Sequence, residues 1–158
     1  IWSVDADSVQ SFLKRTADLP IRIEAVADPA EAVRAADIAV TTTPAFAPVF
    51  KAQWLHPGLH INAIGADTKG KQELETAVLP AASKVVVDSF EQCSELGELQ
   101  HPYRAGLMNR EQVVTLGQVL TGQAVGRQSA ADVTIFDATG LIMQDLVVAD
   151  YIWQKATT

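Results

Sequence analysis

Two acidic residues stand where chemistry would need them. Asp67 follows the apolar run His60-Ile61-Asn62-Ala63-Ile64 and lies two residues past Gly65, where a ligand can approach bare backbone. A carboxylate there can accept a proton or orient an amine or a water. Asp67-Thr68-Lys69-Gly70 is also ordinary turn chemistry, and the spacing admits both readings. Asp5 ends the run Ile1–Val4, where a dinucleotide fold places an acid against the hydroxyls of the adenosine ribose. Taken alone, a solvated or helix-capping Asp explains it better. Thr41-Thr42-Thr43-Pro44 brings three hydroxyls to the end of another apolar run, able to hold ribose or amide groups. In isolation, β-propensity and a strand-ending proline account for them. Asp137-Ala138-Thr139-Gly140 follows Val133–Phe136 and opens a helix, so its free amides can face a ligand or simply be capped.

The remaining reactive side chains read as structural. His56, His60 and His101 lack metal-ligand spacing, so no metal is expected, and His60 reads as a hydrogen-bonded core histidine. Cys93 has no nearby base to activate it. Glu91, Glu95 and Glu98 read as a solvated face, and Arg127 as a structural ion pair more readily than an anion ligand.

These residues need elements to carry them. Apolar runs alternate with helical patterns: strands are expected at Ile1–Val4, Ile21–Val26, Asp37–Thr42, His60–Ile64, Lys84–Val87 and Val133–Phe136. Between them, Asp7 or Ser8 can cap a helix presenting Val9, Phe12 and Leu13. Asp28-Pro29-Ala30-Glu31 is a helix start, and Leu74–Ala82 is helical. Asn109 can cap a helix through Val113, Leu116 and Leu120, and a last helix runs from Leu141. Alternation of this kind implies an α/β, Rossmann-like, doubly wound and mostly parallel sheet. Such sheets bind ligands outside the carboxyl ends of their strands, which is where Asp5, Thr41–Thr43, Asn62–Asp67 and Asp137–Gly140 all fall.

Composition narrows the partners. The 158 residues are 48% hydrophobic and 20% charged, with 12 Lys+Arg against 19 Asp+Glu and a net charge of −7. That excludes low-complexity disorder, and an acidic surface disfavours nucleic acid and anionic membranes. One cysteine excludes an intrachain disulfide, and with no signal-like start a cytoplasmic location is the expectation.

The segment Pro57-Gly58-Leu59-His60-Ile61-Asn62-Ala63-Ile64-Gly65-Ala66-Asp67-Thr68-Lys69-Gly70-Lys71-Gln72-Glu73-Leu74 closely resembles the signature of the ornithine cyclodeaminase / mu-crystallin family. Ala36-Asp37-Ile38 through Thr43-Pro44, Gly97-Glu98-Leu99-Gln100, Leu116–Leu120 with Gly126-Arg127, and Thr134–Gly140 agree in order and spacing. The resemblance implies that residues 1–158 are part of an NAD(P)-binding Rossmann-like domain, incomplete on its N-terminal side. The first strand, the Gly-rich loop and the N-terminal substrate and dimerisation domain of the family lie outside it. It implies Asp67 as the catalytic carboxylate and NAD as cofactor, with Asp5 on the ribose. Cofactor contacts are implied at Thr41, Thr42, Thr43, Asn62, Ala63, Ile64, Gly65, Asp137, Thr139 and Gly140. Where the family usually reads Phe-Asp-Ser-x-Gly, Ala138-Thr139 stands here, which weakens any contact at residue 138.

The implied activity is that of an ornithine cyclodeaminase: oxidation of an amino acid to an imine, cyclisation with loss of ammonia, and reduction to proline. An imine reductase, an amino-acid dehydrogenase or a non-catalytic ligand-binding module are the alternatives, and a generic Rossmann domain with another substrate class is a weaker one. The substrate is expected to be a small amino acid or cyclic imine, and the full-length relatives homodimers. The chain reads as a piece of a larger protein. Without a first strand, either another segment fills its slot or the sheet opens there. The isolated chain is expected to bind cofactor weakly and turn nothing over.

Overall fold

The computed structural model describes residues 1–157. Five strands form one sheet: β1 (Ile38–Thr41), β2 (His60–Ala63), β3 (Lys84–Val87), β4 (Val113–Thr115) and β5 (Thr134–Asp137). Their spatial order is β1-β2-β5-β3-β4, and every pairing is parallel. Parallel neighbours require crossovers. These are carried by short helices, α3 (Val78–Ala81), α4 (Phe90–Cys93), α5 (Gln100–Arg104) and α6 (Leu116–Leu120), and by a 3₁₀ turn at Ala52–Trp54. Helices α1 (Ala6–Arg15) and α2 (Pro29–Arg34) precede the sheet, and α7 (Ile142–Ala156) follows it.

Side-chain alternation decides which face is covered. Ile61, Ala63, Val85, Val87, Val113 and Ile135 point to one face and are buried, packed with Leu59, Leu74, Val78, Leu79 and Leu99. Each fully buried aliphatic side chain contributes about 1.5–3 kcal/mol. The opposite face carries Ile38 and Val40, 60% and 59% exposed, in register with His60 and Asn62. α6 lies against part of it through Leu116 and Val119, leaving a cavity of about 420 Å³ floored by His60, Asn62, Lys84 and Phe136. Among the described residues the sheet is thus packed on one side and half-open on the other. No residue of α7 is buried, and Ile142, Leu146, Val147 and Trp153 are exposed.

Several local expectations need correcting. Ile1–Val4 and Ile21–Val26 are not strands. They hydrogen-bond to one another, Val26 N to Ile1 O at 3.0 Å, with the Ile1 amino group on Glu24 O, but neither reaches the sheet. β1 is therefore an edge, and a cavity of about 330 Å³ separates it from Ile1 and Trp2. α1 is capped by Asp5 rather than Asp7 or Ser8. Only Val78–Ala81 of Leu74–Ala82 is helical. The helix expected through Val113 to Leu120 divides into a 3₁₀ turn at Arg110–Gln112, strand β4 and helix α6, the last opened by a Thr115/Gln118 capping box. Val113-Val114-Thr115 is β-branched throughout, and β3 offers it a ladder partner.

Candidate functional site

The loops after β1, β2, β3 and β5 gather at the carboxyl end of the sheet, held by a chain of acidic side chains. Asp137, the last residue of β5, has no exposed surface, and its two oxygens accept from Glu98 N at 3.1 Å and Leu99 N at 2.9 Å. Glu98, 1% exposed, accepts from Glu73 N at 2.6 Å and Leu74 N at 3.1 Å. Glu73, also without exposed surface, accepts from Thr43 N and from Gly65 N, the latter at 2.9 Å. Each carboxylate thus grips the backbone of the residue that carries the next. Beside them, Asp88 Oδ2 accepts from Thr139 N and Gly140 N at 3.0 and 2.8 Å, and its Oδ1 from Cys93 Sγ at 3.2 Å.

Glycine makes room for this chain at two points. A Cβ at Gly65 would lie 2.5 Å from the Glu73 carboxyl and from Thr43 O; one at Gly97 would lie 2.7 Å from Asp137 Oδ2. Burial pushes the Asp137 carboxyl up to about 7 and Glu98 up to about 8, and the two amides on each pull the other way. Burial also drives the Cys93 thiol far above its ordinary value.

Asp67 differs from all of these. Its side chain is 52% exposed, and its Oδ1 accepts from Lys71 Nζ at 2.7 Å and Thr68 Oγ1 at 2.9 Å. The Lys71 ammonium, then the Thr68 hydroxyl, hold its carboxyl below the ordinary range, so it is ionised at neutral pH. Lys71 is itself fixed: its side chain is 18% exposed, and its carbonyl accepts from His101 Nε2 at 2.7 Å. Gly70 N donates to Gln100 Oε1 at 2.9 Å, so the turn after Asp67 is pinned to α5.

The other expected residues divide by what their atoms are free to do. Thr41 Oγ1 is buried with no hydrogen-bond partner among the described residues, and Thr41, Thr42 and Thr43 line the cavity beside β1. Ile64 is 39% exposed beyond the last rung of β2. Asp5 is exposed at the start of α1, accepting from Asp7 N, Ser8 N and Ser8 Oγ, with Ser8 the main cause of its lowered pKa.

Several expectations are corrected. The Asp137 carboxylate is spent inside the protein. The Asn62 side chain lies on the half-open sheet face, accepting from His60 Nε2 at 3.2 Å, away from the strand end. Ala63 is fully buried, with its carbonyl bonded to Ala138 N. The amides of Thr139 and Gly140 are occupied by Asp88, and the Thr139 hydroxyl accepts from Gln92. Glu98 is no solvated face, because α4 ends at Cys93 and the chain then turns inward. Arg127 donates to Thr134 Oγ1 and Leu59 O rather than forming an ion pair. His60 is the expected hydrogen-bonded histidine, 2.7 Å from Thr134 Oγ1.

Among the described residues no group of three or more His, Cys, Asp or Glu is placed to hold a metal ion, and no helix is long and apolar enough to cross a membrane.

The chain as a whole has counterparts among known proteins. Over 135 residues the chain is 46% identical to an alanine dehydrogenase of Archaeoglobus fulgidus, covering 85% of this chain and 42% of that protein. An archaeal alanine dehydrogenase dimer with bound NAD superposes with a TM-score of 0.90 at 41% identity, over 98% of this chain and 48% of the other. The Δ1-pyrroline-2-carboxylate reductase of Thermococcus litoralis, in complex with NADH and L-proline, gives 0.91 at 27% identity over 98% and 48%. The chain spans about half the length of the relatives it matches. All residues from 1 to 158 match one family model, and the chain belongs to the ornithine cyclodeaminase/mu-crystallin family.

Proposed function

We propose that the complete protein carrying this chain is an NAD-dependent oxidoreductase that interconverts a small α-amino acid and its imine, with Asp67 as the proton carrier. The observation that supports this most is the ionised, half-exposed Asp67 carboxylate, fixed by Lys71 at the carboxyl end of β2. Similarity to an alanine dehydrogenase and to a pyrroline-2-carboxylate reductase favours simple dehydrogenation or imine reduction over the full cyclodeaminase sequence.

The residues fit a dinucleotide in one respect that is independent of similarity. The unpartnered Thr41 hydroxyl and the Thr41–Thr43 segment line a cavity beside the strand end, where polar ligand groups find unspent hydrogen-bonding capacity. Asp5 would face the adenosine ribose, and its charge would disfavour a 2′-phosphate. When bound, the nicotinamide supplies the hydride acceptor or donor.

This chain's residues then handle orientation and the proton. In the oxidative direction the substrate's α-carbon loses its hydrogen with the bonding electron pair, and its nitrogen loses a proton as the C=N bond forms. Asp67 Oδ2, which the internal contacts leave for solvent, takes that proton; in the reverse direction it returns it. Lys71 keeps the carboxylate ionised between turnovers. The protein is read as a homodimer acting on a free small molecule.

The test is NADH oxidation by the complete protein with Δ1-pyrroline-2-carboxylate, or with pyruvate and ammonia, beside NAD reduction with alanine, proline and ornithine. Asp67→Asn is expected to lower kcat by about 10²–10⁴. Unchanged turnover in that variant removes Asp67 from the chemistry. Proline formed from ornithine with release of ammonia would restore the cyclodeaminase reading.

A further inference from the structure

Glu73 takes no part in the proton transfer, yet its side chain joins the loop after β1 to the loop after β2. One oxygen holds Thr43 N and the other holds Gly65 N at 2.9 Å. These amides lie just past the last rung of the β1–β2 ladder, where Ile64 N meets Thr41 O at 3.0 Å. Beyond that rung the two loops part, and their backbones meet again where Gln72 N donates to Ala45 O at 3.0 Å and Phe50 pairs with Leu74, so at Thr43 and Gly65 the Glu73 carboxyl is what bridges the gap. Glu73 is fully buried, and its own amide is held by Glu98, whose amide is held by Asp137 on the central strand β5. The clamp is therefore anchored to the rigid middle of the sheet. Gly65 is required beside it, since a Cβ would overlap the Glu73 carboxyl at 2.5 Å.

We infer that Glu73 is a positioning residue of the dinucleotide site: its carboxylate sets the spacing between the Thr41–Thr43 loop and the Gly65–Asp67 loop, with Glu98 and Asp137 holding it from behind. This role rests on the reading that those two loops hold the nicotinamide dinucleotide. Glu73→Gln keeps the shape of the side chain but turns an amide NH₂ toward one of the two N–H donors, so one loop is released. Gly65→Ala releases the same clamp from the other side by displacing the carboxyl.

The experiment is an NADH fluorescence titration of the complete protein in wild-type, E73Q, G65A and doubly substituted forms, each with its active-site concentration counted. E73Q is expected to raise the Kd for NADH about ten- to a hundredfold, with unchanged binding stoichiometry. The double variant should lose no more than the worse single one, because both break one clamp. A merely structural Glu73 would lower the fraction of competent protein and leave Kd unmoved; that result, or losses that multiply in the double variant, overturns the inference. Wild-type protein that binds no NADH defeats the dinucleotide reading itself, and this role with it. Wild-type binding with an unaffected E73Q defeats the positioning role alone. If E73Q does not fold, amide hydrogen exchange of the cofactor-free wild type decides. The Thr43 and Gly65 amides must be protected as strongly as that of Ile64, and exchange at free-loop rates refutes a preformed clamp.

Discussion

Replacing Gly97 with alanine tests the acidic chain at its root. The added Cβ would stand 2.7 and 2.8 Å from the two Asp137 oxygens and 3.0 Å from the Cys93 Cα. Neither neighbour can yield cheaply. Cys93 contributes backbone, and the Asp137 carboxylate is fixed by Glu98 N and Leu99 N at 3.1 and 2.9 Å. Overpacking a rigid site costs about 1–3 kcal/mol. Pushing the carboxyl off even one amide leaves a buried donor unsatisfied, which costs about 1–3 kcal/mol. The two effects overlap, since moving the carboxylate relieves the clash, so the expected loss is about 3–4 kcal/mol. Gly117→Ala is the control: at that position the nearest atom is Thr115 Oγ1 at 3.9 Å, within α6, where alanine is favoured over glycine by up to about 1 kcal/mol. Urea unfolding of the complete protein, followed by circular dichroism with m-values compared, measures both. Gly97→Ala within 0.5 kcal/mol of wild type (about the scatter of neutral surface changes) would mean that Asp137 has room to move. The description of a taut, buried carboxylate clamp would then be wrong.

Three further outcomes follow from the same geometry. The folded-state carboxyls of Asp137 and Glu98, at about 7 and about 8, lie above their unfolded values. The folded protein therefore holds protons that the unfolded chain has released, and stability falls as pH rises from about 4 to about 8, by on the order of a few kcal/mol, levelling off above. Melts across that window that rise or stay flat contradict this. Asp5→Ser keeps a capping oxygen at the start of α1 but drops the charge, so the preference for NADH over NADPH in the complete protein should fall about tenfold; an unchanged ratio removes Asp5 from the ribose site. Cys93 has no exposed surface and a strongly raised thiol pKa, so a maleimide should label it only after unfolding; fast labelling of the folded protein would refute its burial.

What the sequence disclosed and what it hid differ in the range of the forces involved. β2, β3 and β5 were legible because short apolar runs with turn residues on both sides leave few alternatives. β4 was not, since Val113, Leu116 and Leu120 also fit a helical spacing, and only the ladder offered by β3 decides the matter. Ile1–Val4 has a strand's composition but gains nothing from extension without a neighbour on the sheet. Asp67 could be located from one local fact, an acid following a strand and a glycine. Its partner Lys71, four residues on, is equally near in sequence but has no local signature, because the turn that folds it back depends on Gln100 and His101.

The acidic chain is the clearest case of information absent from local sequence. Glu98 sits among Glu91 and Glu95 and looks like one more solvated carboxylate, yet its acceptors are spent on amides about 25 residues away, and its own amide on an Asp 39 residues away. Burying an acid without a cation is costly, and composition-based reasoning therefore places acids outside. What reverses the balance here is the supply of unpaired loop amides at the carboxyl ends of parallel strands, which must be satisfied by something once the core closes over them. A carboxylate with two oxygens meets two such amides at once. The same need explains why Asp137 belongs to the frame of the site rather than to its ligand contacts. Any residue ending a central parallel strand faces both demands, and full burial with two backbone donors settles which one Asp137 meets.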